Sequence, residues 1–181
     1  MKKFLKKTLA FMLVAICFCQ GMELSAFAAK KDFTEQSDTF TVYFLSNGTT
    51  IKEHGNVSPT RISSFLSNKA TGVDGSCTVT ITRRENFTCY MSWNAYSYNG
   101  RYIKNIDVGL TCFNAKNGQI YYRDNDSKNG SGSYTSHVSG YTSQFGVPYN
   151  TDVMYGIYNC KMNFVDGGSL NGTQAYWRKT V

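Results

Sequence analysis

Residues 87–113 read FTCYMSWNAYSYNGRYIKNIDVGLTCF. Apolar and polar residues alternate on both sides of Asn99-Gly100. An Asn-Gly between two alternating arms is the strongest short-range signal for a two-residue β-hairpin. Under that turn Tyr98 faces Arg101. Trp93 then falls opposite Ile106, Met91 opposite Val108, Cys89 opposite Leu110 and Phe87 opposite Cys112, so one face collects the apolar groups. A slip of one residue would scatter them over both faces. The other face carries Tyr90, Ser92, Asn94, Tyr96 and Tyr98. Asp107 lies across from Ser92, and Gly109 lies across from Tyr90, whose ring covers it. The stretch predicts a hairpin with one buried side and one tyrosine-bearing side.

The same period of two recurs along the chain. Strands are expected at Thr39–Leu45, Thr49–Lys52, Cys77–Thr82, Phe87–Tyr98, Arg101–Phe113, Gln119–Asp124, Ser133–Ser139, Val153–Val165 and Gln174–Lys179. Lys116-Asn117-Gly118 reads as a three-residue bulged turn, placing Cys112 opposite Tyr122 and Asn114 opposite Ile120. Asp124–Ser133, DNDSKNGSGS, is the most loop-like segment. SPTRISSFLSNKA, residues 58–70, is the best helix candidate: Ser58 caps it, Pro59 opens it, and Ile62, Phe65 and Leu66 recur at helical spacing. The expected fold is all-β, an antiparallel β-sandwich or flattened barrel of about eight strands with at most one short helix.

The N-terminus carries Lys2, Lys3, Lys6 and Lys7, then an apolar run over residues 8–19, then Ala26-Phe27-Ala28. That order predicts a signal peptide at 1–28 that is removed, leaving a single secreted β domain at 29–181. The apolar run is too short to cross a bilayer, and no second membrane-length run follows. The lysine-rich leader is of bacterial type, so Asn-x-Ser/Thr triplets such as Asn47-Gly48-Thr49 are read as turns. Losing the four lysines and Glu23 lowers the net charge from +7 to +4. The remaining basic residues form no stripe, which argues against nucleic acid as a partner.

Cleavage leaves Cys77, Cys89, Cys112 and Cys160. Each shares parity with the apolar residues of its strand. No C-x-x-C occurs, so zinc is not expected. Two outcomes stay open: bridges in which Cys77 or Cys160 supplies a partner across two packed sheets, or buried free thiols acting as small hydrophobes.

Catalytic signatures are scarce. G-x-S-x-G, H-E-x-x-H and phosphate loops are missing, and no cofactor is expected. Lys-Glu-His54-Gly reads as a turn, and His137 lies in a polar strand facing solvent. Asp124-Asn125-Asp126-Ser127-Lys128 imitates a calcium loop but fails where Lys128 replaces an oxygen ligand. The remaining lead is the tyrosine face. Tyr90, Asn94, Tyr96, Tyr98 and Asp107 form the candidate ligand-binding set. Rings stack on sugar faces, while amides and carboxylates bond hydroxyls. Trp177 is a further candidate stacking residue. The plain alternative is that tyrosine simply suits a half-exposed sheet. The expectation is a secreted non-catalytic domain that binds glycan or cell-wall polymer at the extracellular surface. An antibacterial or membrane-active secreted protein is the first alternative. A small extracellular hydrolase, its two carboxylates united only by the fold, is the second.

Overall fold

A computed structural model describes residues 35–56, 72–84, 87–130, 135–172 and 174–181. The expected leader at 1–28 and helix at 58–70 lie outside the described residues. Among those described, every regular element is a strand: β1 Gln36–Leu45, β2 Thr50–His54, β3 Val73–Arg83, β4 Thr88–Ser97, β5 Ile103–Asn114, β6 Ile120–Asn129, β7 His137–Tyr141, β8 Phe145–Gly146, β9 Asp152–Phe164, β10 Ser169–Gly172 and β11 Ala175–Thr180. Eleven strands replace the expected eight or so, because two short ones, β8 and β10, carry too few residues to show a period.

The strands form two antiparallel sheets. One has the order β2-β1-β3-β4-β7, with β8 pairing β4 beyond β7. The other has the order β10-β9-β5-β6, with β11 also pairing β9. Both sheets are open, so the fold is a β-sandwich and the flattened-barrel alternative is set aside. Inward side chains of both sheets make one core, with Phe40, Val79, Ile81, Met91 and Trp93 from the first and Ile106, Val108, Tyr155 and Met162 from the second.

The expected hairpin at Asn99-Gly100 is corrected. The turn itself is tight: Asn99 and Gly100 have φ of 59° and 71°, and the Arg101 N–H reaches the Tyr98 carbonyl at 3.4 Å. The arms nevertheless part into different sheets. β4 is bonded on one edge by β3 and on the other by β7 and β8, while β5 lies between β6 and β9. With both edges taken, β4 has no hydrogen bonds to give β5. Trp93 pairs with Val79 and Gly140, and Ile106 with Lys128 and Met162. The apolar sides of the two arms therefore meet through the core rather than side by side. The ring covering Gly109 belongs to Tyr158, the bulged residue of β9, and not to Tyr90.

The hairpin between β5 and β6 forms as expected, with Cys112 opposite Tyr122. A bulge then places Phe113, not Asn114, opposite Ile120. The segment read as a loop from Asp124 is strand through Asn129, because it follows Tyr122 out along the edge of β5. Adjacent side chains of a strand point to opposite faces. Asp124 and Asp126 are thus separated from Asn125 and Ser127, and no calcium loop forms.

Two seams close the sandwich sides. At one, the Trp93 indole N–H donates to Asp126 Oδ2 at 3.0 Å, and Tyr122 stacks on Phe145 at 5.0 Å. At the other, Lys52 Nζ donates to the Tyr176 carbonyl at 3.1 Å, and His54 stacks on Trp177 at 5.1 Å. Arg83 is buried at the end of β3 and donates to the carbonyls of Val147 and Pro148, tying down the loop between β8 and β9.

The four cysteines among the described residues are buried and free. Burial pushes the Cys112 thiol up to about 12, and it also raises Cys89. A thiol needs both its thiolate form and access to react. In the reduced native protein these thiols should label roughly a hundred-fold or more slowly than in denaturant, since reaction waits for opening. Equal native and denatured rates, followed residue by residue by alkylation and peptide mass, would show that they do not face inward.

Candidate functional site

Alternation along β4 sends Cys89, Met91, Trp93 and Ala95 into the core, so Tyr90, Ser92, Asn94 and Tyr96 point outward. Three strands continue this outer face in register. Thr78, Asn94 and Ser139 form one row, Thr80, Ser92 and Tyr141 the next, and Ser76, Tyr96 and His137 lie on the other side of the first. On the β1 side the field is closed by paired hydroxyls: Ser37 with Thr82 at 2.9 Å, Thr39 with Thr80 at 2.8 Å and Thr41 with Thr78 at 2.9 Å. Thr41, Thr78 and Thr82 are buried, so the accessible part of the face lies over β4 and β7.

That strip is framed by rings. Tyr96, 39% exposed, stacks on His137 with centroids 4.4 Å apart and planes 17° from parallel. The Asn94 Oδ1 lies 3.3 Å from His137 Nε2, which fixes the imidazole from its edge. Tyr141 is 78% exposed at the other end, opposite Ser92. Ser92, Asn94 and Ser139 lie between the rings and present hydroxyl and amide groups. Tyr90 flanks the strip, with the Arg84 guanidinium 5.2 Å over its ring and its hydroxyl 3.4 Å from Glu35 Oε1.

Tyr90, Asn94 and Tyr96 are thus brought together, whereas Tyr98 and Asp107 are not. Tyr98 packs into a second small cluster with Tyr43, Leu45, Val73 and Ile51, and its hydroxyl meets Ser76 Oγ at 2.8 Å. Burial raises its phenol above the ordinary range. Asp107 sits on β5 in the other sheet, where Ser127 Oγ donates to it at 2.6 Å. Its placement opposite Ser92 depended on the hairpin and is corrected with it. His137 and Tyr141 were missed as members of the face. Their signal was the shared parity of His137, Ser139 and Tyr141 in a short polar strand.

Trp177 is not a free stacking residue. It lies within the seam, stacked on Phe40 at 6.3 Å and on His54 at 5.1 Å. His54, read as a turn, ends β2 and bonds Asp38 Oδ1 at 2.8 Å, while Tyr155 donates to Asp38 Oδ2 at 3.2 Å. Burial and the Asp38 charge hold the Tyr155 phenol far above its usual range. The Asp38 carboxylate is shared with a core phenol, and the imidazole lies flat on Trp177, so the group locks two sheet edges together. A cleft of about 400 Å³ near Phe44, Asp74, Arg101 and Leu170 has its charges already satisfied. Arg101 is doubly bonded to Asp166, and Asp74 accepts from Ser46 and Asn99.

Among the described residues no three His, Cys, Asp or Glu side chains gather as a metal site, and no helix is long and apolar enough to cross a membrane. No protein-family model matches the chain, and no curated protein matches it significantly.

Proposed function

We propose that the chain is a secreted, non-catalytic binding domain whose β4–β7 face takes an extended glycan, such as a cell-wall polymer. The observation that carries this reading is the exposed strip itself: rings at Tyr96 with His137 and at Tyr141, separated by Ser92, Asn94 and Ser139. Sugars offer apolar C–H faces and a rim of hydroxyls, which aromatic walls and a few placed polar groups complement. Strand pairing has already fixed the backbone beneath, so little order is lost on binding. Tyr96 lies four residues along β4 from Ser92, the partner of Tyr141, so the two ring-bearing positions are about 14 Å apart at ~3.4 Å per residue. A ligand reaching both is an oligosaccharide rather than one sugar.

The test is retention of the purified chain on insoluble polysaccharides and isolated cell wall. Tyr96→Ala with Tyr141→Ala should weaken retention about ten-fold per ring, with an unchanged far-ultraviolet spectrum. Asp107→Asn should leave retention as it is. Equal retention by the double variant, or none by the parent chain on any of these polymers, would overturn the proposal.

A further inference from the structure

The side chains of Cys77 and Cys160 enter one core from opposite sheets. Cys77 lies on β3 between Val42 and Ala95, and Cys160 lies on β9 between Val108 and Gly172. Both are essentially inaccessible. Face-packed sheets normally stand about 10 Å apart, too wide for a disulfide, whose Cα atoms lie roughly 4.4–6.8 Å apart. Here the sheets pinch: Cα atoms of β3 and β9, and of β1 and β10, come within 8 Å of one another. Small residues permit the approach. A Cβ on Gly172 would lie 2.6 Å from the Phe44 ring and 3.1 Å from Cys160 Cβ, and one on Gly75 would lie 3.1 Å from Leu170. Ala95 is the third small neighbour.

We infer that Cys77 and Cys160 are a disulfide-forming pair that staples the two sheets when the chain folds in the presence of a disulfide oxidant. This inference stands apart from the glycan reading. The thiolate of one cysteine attacks a sulfur of the oxidant, a small-molecule disulfide or a dithiol oxidase, forming a mixed disulfide and releasing one oxidant thiolate. The second cysteine's thiolate attacks the protein sulfur of that mixed disulfide, forming the Cys77–Cys160 bond and releasing the second oxidant thiolate. The two cysteine protons pass to the released thiolates, so the oxidant gains two electrons and two protons. Burial and the partner thiol hold Cys77 well above the ordinary thiol range in the closed sandwich. Exchange therefore belongs to the open chain, and the redox state chosen during folding is sealed in afterwards. A single bridge, Cys77–Cys160, is expected.

The chain is unfolded and reduced, then refolded in parallel in a mixed glutathione buffer and in dithiothreitol. Expected from the first is a non-reduced peptide linking Cys77 to Cys160, with Cys89 and Cys112 alkylated after denaturation. Its Tm should exceed that of the second by on the order of 10 °C, as closure of a loop of about 80 residues implies. Dithiothreitol added to the folded, oxidised chain should leave the bridge intact until heating. Recovery of Cys77 and Cys160 as alkylated thiols from the glutathione arm, or their linkage to Cys89 or Cys112 instead, would overturn the inference.

Discussion

Trp93→Ala is expected to lower the unfolding free energy by about 4–5 kcal/mol, near the top of the range for truncating a buried aromatic. Trp93 is fully buried and is the largest such side chain among the described residues. It also bridges the seam, because its N–H donates to Asp126 on the opposite sheet. Truncation opens a cavity beneath Gly140, whose own Cβ would stand 2.6 Å from the indole nitrogen. It also removes a donor from a half-buried carboxylate that is paired with the Lys128 ammonium at 3.3 Å. Trp93→Phe separates the two effects: most of the ring stays and the donor goes, so the loss should fall to about 1–2 kcal/mol. Urea midpoints at constant slope measure both. A Trp93→Ala midpoint within error of the parent would mean that the indole does not fill the seam.

That residue also shows what the alternation in the sequence did and did not determine. Parity placed Trp93, Met91, Cys89, Phe87, Ile106, Val108, Leu110 and Cys112 on the inward face; seven of the eight are buried, whereas Phe87, just before β4 begins, is 64% exposed. Parity is a property of each strand alone, because side-chain direction repeats every two residues whatever lies beside the strand. Two arms with apolar residues in step fit a hairpin ladder, and they fit equally well when they face each other through a sandwich. The Asn-Gly turn could not decide between these, since a tight reversal serves both. The decision came from the edges of β4, taken by β3 and β7, and such long-range pairing leaves no local mark. Where a strand's partner was its sequence neighbour, as for Cys112 and Tyr122, the local signal sufficed.

The candidate face was legible to the same depth. Tyr90, Asn94 and Tyr96 share a side because they share a strand. His137 and Tyr141 join them because β7 pairs with β4 across about forty intervening residues. Asp107 left the set for the reason that Ile106 left the side of Trp93. Tyr98 left it because its ring packs against the second cluster of Tyr43, Leu45 and Val73. The Asp38, His54 and Tyr155 contacts had no readable signal, since one of the three comes from the other sheet.

Gly156→Ala is expected to cost about 3–4 kcal/mol, although it adds one methyl group to a strand. Gly156 has φ of 152° and lies in β9 between Thr111 of β5 and Tyr176 of β11. Its Cβ would stand 2.2 Å from the Ala175 carbonyl oxygen and 3.0 Å from the Phe40 ring. The first contact is backbone and cannot rotate away, so β11 must shift. β11 carries Trp177, whose stack on His54 closes one side of the sandwich, so the displacement reaches the seam. Gly140→Ala is the informative comparison. Its Cβ would meet Asp126 Oδ2 at 2.2 Å and the indole nitrogen of Trp93 at 2.6 Å; the carboxylate can turn aside, but the fully buried indole cannot. Its cost should be of similar size, about 3–4 kcal/mol, but borne by the seam between β4 and β6 rather than by β11. Gly156→Ala should further weaken hydrogen-exchange protection along β11 while sparing β3 and β4, because strands that do not touch the displaced one keep their ladders. A Gly156→Ala midpoint within error of the parent, or protection lost first in β4, would place the close approach elsewhere than between β9 and β11.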